Sequence, residues 1–531
     1  MAEITITKGL AGAEDISQHD PTVGSPEVEQ TFTRTRASGS GTVTRTKLNA
    51  THVPILDAPD LTDQNTAFSA LSGANHTTEE ALKLTRQNVM DLINFEHRGG
   101  IQGDGITTAQ QTINADLLDE IINEIRTGGR AKGIFFDGGT WEIGRKTGHN
   151  VSDPAVDETT VDEILFKGIG EGSKIVAGAD LVATSSASTF FRLQNTNRIV
   201  FEDIKIVATG LTGDVVLFEA TSAAANRNKA IRTTFTGGAR GLVFMGASGS
   251  AFRQQNATVK DCYLDGQTGK GIFLDNIGGA RLWDCEFNAG SATGGGIGGL
   301  AEAANEALSD IEIIRCKNIA STNDMDINLD VTTAWSSALH ARNTVNDCKC
   351  NTIDIARSSQ LEIRRNTLSG GRIVLVFDQA GTATEIFIND NIIDSTGSLQ
   401  GGIDIAGTGN IQILEISGGK IKNANTHGIG LASNGSSVFD LINIHDVVIL
   451  DPARAGAGAF SGLLFNGNDI RRMYVHANTI YNPTDSNMLY AMDNVASSQP
   501  ECYRWGNLAQ NGSAGLSRGT WLTGAETNAL A

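Results

Sequence analysis

Proline is scarce in this chain, eight among 531 residues, while glycine is abundant at 61. Helical periodicity is missing from the C-terminal two-thirds, where Asn, Asp, Ser and Gly punctuate short apolar runs, so a helical bundle is excluded there. No apolar run reaches the length of a membrane-spanning helix, and membrane insertion is not expected. The N-terminal MAEITITKGLAGAED lacks the charged-then-apolar layout of a secretion signal. No phosphate loop, Walker motif or nucleophile elbow is present, which removes the commonest nucleotide-binding and serine-hydrolase classes. Basic residues are outnumbered 41 to 60, giving a formal net charge of −19. That excess disfavours nonspecific nucleic-acid binding. The six cysteines include no Cys-x-x-Cys pair, and His427, His445 and His476 show no metal spacing, so neither metal nor cofactor is expected.

What is present is a repeat. The motif apolar-x-x-(Cys/Asn/Gly/Thr/Val/Ile)-x-apolar starts at Phe201, Ala230, Val259, Leu282, Ile313 (its last position polar), Val345, Ile363, Ile388, Ile416, Ile444 and Val475. Its spacing averages roughly 27 residues, within the range of solenoid repeats. Each copy alternates apolar and polar positions and reads as a strand with one buried face. Second strands lie between the copies: GLVFM from Gly241, GIFLD from Gly271, DINLD from Asp326, TIDIA from Thr352, RIVLV from Arg372, GIDIA from Gly402, GIGLA from Gly428 and GLLFN from Gly462. Each is apolar at its second and fourth positions. A single coil cannot bury such a face; a stack of coils can. The pattern predicts an all-β, right-handed parallel β-helix, since propeller blades need longer repeats. Cys262, Cys285, Cys316 and Cys348 share one slot, later held by Asn366, Asn391 and Asn478. The shared slot predicts a stacked ladder of reduced thiols and amides rather than disulfides.

The N-terminal third follows other rules. Residues 1–75 are polar, with weak strand alternation in TFTRTR and GTVTRTKL. Residues 76–100 predict an amphipathic helix, begun at Thr77 or Thr78, with Ala81, Leu84, Met90 and Ile93 on its apolar stripe. Residues 101–144 predict a second helix from Thr107 or Thr108, with Ile113, Leu117, Ile121 and Ile125 buried, ended at Gly128-Gly129 and followed by two strands. A solenoid needs its open apolar end covered, and this helix sits where the cover belongs.

Gly103-Asp104-Gly105, the helix, the Gly-rich turn and IFFDGGTWEIG resemble the start of the pectate-lyase-like β-helix superfamily, and bacteriophage tailspikes within it. LFKGIGEGSKIVAG (Leu165–Gly178) is similar to that family's first coil. Thr107-Thr108 and Asp137-Gly138 stand where the family has an acidic residue and a proline. The resemblance spans roughly residues 101–485, expected as the β-helix with its cap at 101–144, followed by a C-terminal segment at 486–531. It implies a homotrimer in the virion tail, attached to other tail proteins through residues 1–75, with 76–100 as a helical neck. It implies recognition of a bacterial surface polysaccharide during adsorption. The chemistry stays open between a depolymerase, a non-enzymatic adhesin or structural fibre, and a secreted polysaccharide lyase.

Aligning the second strands by their inner apolar pairs turns Asp326, Asp330, Asp354 and Asp404 outward on one face. Paired carboxylates serve glycoside hydrolysis, where one acts as acid and the other as base or nucleophile. These four are the candidate catalytic residues, set against the alternative of ordinary acidic surface. Trp335 is a candidate for stacking on a sugar ring, or for packing into the solenoid. Arg372 on the same face is a candidate for an anionic sugar, or for pairing with Asp354. Glu302 and Glu306 are the next carboxylates to consider. A lyase would require a basic cluster, for which Arg364-Arg365 is the sequence's one offer.

Overall fold

The computed structural model describes three N-terminal strand segments (29–36, 39–48 and 51–54) and most of 92–529. Its undescribed parts within 92–529 are 129–131, 151–152, 183–188, 289–294, 304, 320–325, 333–335, 337, 380, 397–400, 434–437, 455–459, 467–468, 483–487, 497–500, 511–512, 520 and 522–527. The chain divides into two units, Met1–Asp91 and Leu92–Ala531. In the first, Glu29–Arg36, Gly39–Leu48 and Thr51–Pro54 form an antiparallel sheet in that order. This is where the polar alternation of TFTRTR and GTVTRTKL falls.

The second unit is a right-handed parallel β-solenoid. Three sheets of 16, 15 and 14 strands run along it, here called sheets 1, 2 and 3 in the order the chain visits them in each coil. Sheet 1 runs from Leu92–Asn94 to Glu501–Trp505, sheet 2 from Gly139–Ile143 to Asn528–Ala529, and sheet 3 from Val156–Thr159 to Gly515–Arg518. The solenoid is therefore longer than the expected 101–485 at both ends. Leu92–Asn94 pairs in parallel with Gly133–Phe135, so Ile93 belongs to a strand and not to a helical neck. Residues 55–91, with the rest of that expected helix, lie outside the described residues. At the other end, Tyr490–Val495, Glu501–Trp505 and Leu508–Ala509 extend all three sheets.

The repeated motif is not one strand but two. In twelve successive coils, from Glu202 to Leu508, two residues separate the sheet 1 strand from the sheet 2 strand. The first of the two has positive φ every time: Asp203, Arg232, Asp261, Asp284, Arg315, Asp347, Arg365, Asp390, Gly418, Asp446, Ala477 and Gly506. A left-handed residue turns the chain sharply, so the apolar positions before and after it both point inward. Non-glycine residues in that conformation are strained by about 1–2 kcal/mol. Several are held by charge. Arg315 grips Asp284 at 2.6 and 2.8 Å, and Arg365 grips Asp347 at 2.7 and 2.8 Å.

The second turn residue points into the core and carries the ladder. All six cysteines are free and buried. Cys262, Cys285, Cys316 and Cys348 donate Sγ–H to backbone carbonyls. Burial pushes the Cys262 thiol up to about 12, so it stays protonated. The ladder then changes to amides. Asn366 accepts from the Cys348 N–H at 2.8 Å and donates to the Val345 carbonyl at 2.8 Å. Asn478 and Asn507 repeat the pattern near the C-terminal end.

Helix α1, Thr108–Arg126, covers the first coils. Thr107 and Gln110 form a reciprocal cap, which stabilises a helix start by about 1 kcal/mol. The buried stripe is rotated from the expected one. Ile113 is 50% exposed, and the buried face comprises Gln111, Asn114, Ala115, Leu118, Ile121, Ile122 and Ile125. Two polar side chains sit inside because each is satisfied. Asn114 donates to the Ile101 and Glu142 carbonyls at 2.8 and 2.9 Å, and Gln111 donates to the Glu142 carboxylate at 2.6 Å.

Candidate functional site

Sheet 3 positions the expected carboxylates. The strand Asp326–Val331 alternates strictly: Ile327, Leu329 and Val331 are buried while Asp326, Asn328 and Asp330 are half-buried and face outward. Parallel pairing stacks these positions into columns. Asn328 lies opposite Asp354, Asp354 opposite Val374, and Val374 opposite Asp404. Asp354 is thus diagonal to both Asp326 and Asp330, one strand across and two residues along, roughly 8 Å between Cα atoms. Asp404 lies two strands on, about 10 Å from Asp354.

The coil between the strands at Gly271 and Asp326 also contributes a strand to this sheet. Gly296–Ala301 pairs with Ile272–Asp275 on one side and Asp326–Val331 on the other. Its outward residues are Gly296, Gly298 and Leu300, opposite Asp326, Asn328 and Asp330. The two glycines leave a dip beside the acidic row. Placing this coil in register also brings Asp275 onto the face, two strands from Asp330 across Leu300.

The electrostatics separate the four aspartates. Burial raises the Asp354 pKa; Arg372 opposes this, while Asp330 and Asp326 add to it. Burial also raises that of Asp404, with Arg372 pulling it back. The pairing of Arg372 is with Asp404, Nη1 to Oδ2 at 3.1 Å, and not with Asp354. Asp275 was not singled out by the sequence. Burial, then Glu306 and Glu302, push it up to about 7. Glu306 itself is a loop organiser, its carboxylate accepting from the N–H groups of Gly249 and Ala303 at 2.7 and 2.9 Å and from that of Glu302. Trp335 lies outside the described residues.

Lys270 is the second residue the sequence did not flag. It precedes the sheet 3 strand Ile272–Asp275 and lies within the fields of Asp326 and Asp354. With Phe273, Arg240, Thr212 and Thr268 it lines a groove of about 550 Å³. Arg240 is committed there, gripping Asp214 at 2.7 and 2.8 Å with its guanidinium 4.7 Å from the Phe273 ring centre. In the sequence, the groove is marked only by the glycine-rich GGGIGGLA, whose strand lacks the apolar pair of its neighbours.

Other sequence candidates fall elsewhere. Arg365 is held by Asp347, and Arg364 lies 3.2 Å from Glu362, both away from sheet 3. His445 and His476 are brought together in register on sheet 1, their rings parallel and 4.9 Å apart. His427 accepts from the Ser461 N–H at 2.9 Å. Among the described residues no group of three or more His, Cys, Asp or Glu is placed to hold a metal. Among the same residues no helix is long and apolar enough to cross a membrane.

No protein-family model matches the chain, and no curated protein does. Solved structures do. Tailspike protein 3 of bacteriophage CBA120 is 13% identical with a TM-score of 0.37, over 96% of this chain and 77% of that one. The A-module of the mannuronan C-5 epimerase AlgE6 of Azotobacter vinelandii is 11% identical with a TM-score of 0.34, over 82% and 98%. The surface protein and adhesin PfbA of Streptococcus pneumoniae is 10% identical with a TM-score of 0.25, over 80% and 99%. At these values no residue's role is carried across.

Proposed function

We propose that this chain is a phage tailspike-type receptor-binding protein that recognises a bacterial surface polysaccharide along sheet 3 and hydrolyses it. One observation carries the chemistry: Asp354 is held with a raised pKa between Asp326 and Asp330 on an open, elongated face. A raised carboxyl is the form that donates a proton. In this reading Asp354 gives its proton to the glycosidic oxygen as the leaving sugar departs. The carboxylate of Asp326 or Asp330 takes a proton from a water, which attacks the anomeric carbon from the opposite face. Inverting hydrolysis needs the two carboxyl groups about 6.5–9.5 Å apart with that water between them, and a diagonal pair roughly 8 Å apart at the backbone can reach such a separation. Arg372 and Asp404 form a charged pair at the far side of the acid, suited to hydrogen-bonding sugar hydroxyls.

The resemblance of residues 101–178 to tailspikes supports the biological setting. In that setting the protein is a homotrimer of the virion tail, attached through residues 1–75 and acting at the host surface. The test is incubation of the purified protein with surface polysaccharides from candidate hosts. New reducing ends with inverted anomeric configuration support the proposal. Ultraviolet absorbance from an unsaturated uronate would replace hydrolysis with elimination. Binding without either would leave an adhesin.

A further inference from the structure

The groove beside the acidic row holds a cation, Lys270, that has no partner among the described residues. Among the described residues, the Lys270 ammonium forms no hydrogen bond or ion pair. Its stem crosses the dip left by Gly298, where an added Cβ would fall 2.9 Å from Lys270 Cγ and 3.0 Å from Phe273 Cδ2. Glycine at 298 therefore lets the lysine stem lie against the sheet, where the charges of Asp326 and Asp354 act on its ammonium. The neighbouring cation, Arg240, is already satisfied by Asp214. The other lining groups are the Phe273 ring and the hydroxyls of Thr189, Thr212 and Thr268.

We propose that this groove is a subsite for a sugar bearing an anionic substituent, with Lys270 as the residue that reads its charge. The inference rests on sheet 3 being the glycan-binding face. A half-buried ammonium facing a neutral sugar would stay unpaired, and an unpaired charge is costly to cover. An anionic group supplies the missing partner, while the Phe273 face accepts the apolar side of a sugar ring and the threonines bond its hydroxyls. Burial lowers the Lys270 pKa, and Asp326 and Asp354 push it back up, so the two aspartates favour the charged form of the lysine. The groove thus selects by charge next to the carboxyl that performs the cleavage.

The experiment measures binding of the full chain to five glycans, three of them also after carboxyl reduction. These are uronate-bearing hyaluronate, sialate-bearing colominate, both again after carboxyl reduction, glycerol-phosphate polymers, neutral dextran, and extracted host polysaccharide with and without carboxyl reduction. The expected result is at least tenfold tighter binding of one anionic glycan than of its neutral counterpart. Loss on carboxyl reduction assigns the charge to a carboxylate; persistence assigns it to a phosphate. Lys270→Met should abolish the preference while leaving thermal unfolding unchanged, and Lys270→Arg should keep most of it. Asp354→Asn should retain the preference. Equal binding of neutral glycans by the wild type, or a full preference kept by Lys270→Met, overturns the inference and leaves the glycan-binding face standing. Binding of no glycan by the wild type overturns both.

Discussion

Twelve coils pass from sheet 1 to sheet 2 in two residues, always through one left-handed position. The passage from sheet 2 into sheet 3 takes one residue at Asn351 and twelve at 451–462. From sheet 3 back to sheet 1 it takes one residue at Asn276 and eleven at 332–342. The constant seam carries the thiol and amide ladders, whose polar groups are paired inside the core. The variable loops flank the sheet that carries Asp326, Asp330, Asp354 and Asp404. The difference teaches where each kind of residue can change. A seam residue is locked by the coils above and below it, and a loop beside sheet 3 is locked by neither. Binding and catalysis commonly sit on variable loops beside a rigid scaffold, and this division follows the same physics.

Four predictions press on that comparison. The largest effect belongs to the acidic face. Asp354→Asn should cut hydrolysis by about 10²–10⁴-fold, the usual share of a general acid, with melting temperature and glycan binding unchanged. Reducing-end assays and calorimetry on the same preparation check both halves.

Insertions contrast the seam and the loops directly. One residue added between Asp390 and Asn391 shifts the sheet 2 strand Ile392–Asp394 by one position, turning Ile393 outward and breaking the amide ladder at Asn391. Cooperative unfolding should be lost or its midpoint should fall sharply. Two glycines added within 451–462 should cost less than about 1 kcal/mol, because loop closure depends only weakly on length. Similar losses from both insertions would erase the distinction.

A third prediction concerns where α1 docks on the first sheet 3 strand. Burial, then a hydrogen bond to Asp119 and the Asp119 charge, push buried Glu158 up to about 8. The fold holds its neutral form. The stability from this group is complete below the unfolded value near 4.5 and is lost as pH rises toward 8. The loss is at most about 1.4 kcal/mol for each pH unit climbed through that window. Glu158→Gln should match the wild type near pH 5 and unfold at a higher temperature near pH 8. Parallel pH dependences for the two proteins would contradict the raised Glu158 pKa.

The smallest effect tests the left-handed slot. Ala477 has φ 54° and an exposed side chain. Ala477→Gly should stabilise by about 1 kcal/mol, since glycine adopts that conformation without strain. Destabilisation in urea melts would mean that the slot's side chain matters more than its backbone.

Much of this was legible because inward positions repeat. Ile327 and Leu329, Ile353 and Ile355, and Ile403 and Ile405 announce sheet 3, and every one is buried. The shared slot of Cys262, Cys285, Cys316 and Cys348 announced the ladder in the same way. The left-handed turn was hidden because Asp, Arg, Gly and Ala all occupy it, so no residue type marks it. The α1 stripe was misread because Gln111 and Asn114 are polar yet buried, their burial made favourable by Glu142 and Ile101, which lie elsewhere in the sequence. Lys270 and Asp275 were missed because their importance depends on the glycines of Gly296–Ala301, whose strand has little side chain to show.

The most direct test of the central claim is a crystal structure of Asp354→Asn soaked with an oligosaccharide of the polysaccharide it is proposed to cleave. The account predicts a glycan lying along the outer face of sheet 3, with a glycosidic oxygen within hydrogen-bond reach of residue 354 and a water beside Asp326 or Asp330. A glycan bound on sheet 1 or sheet 2, with sheet 3 bare, would contradict it.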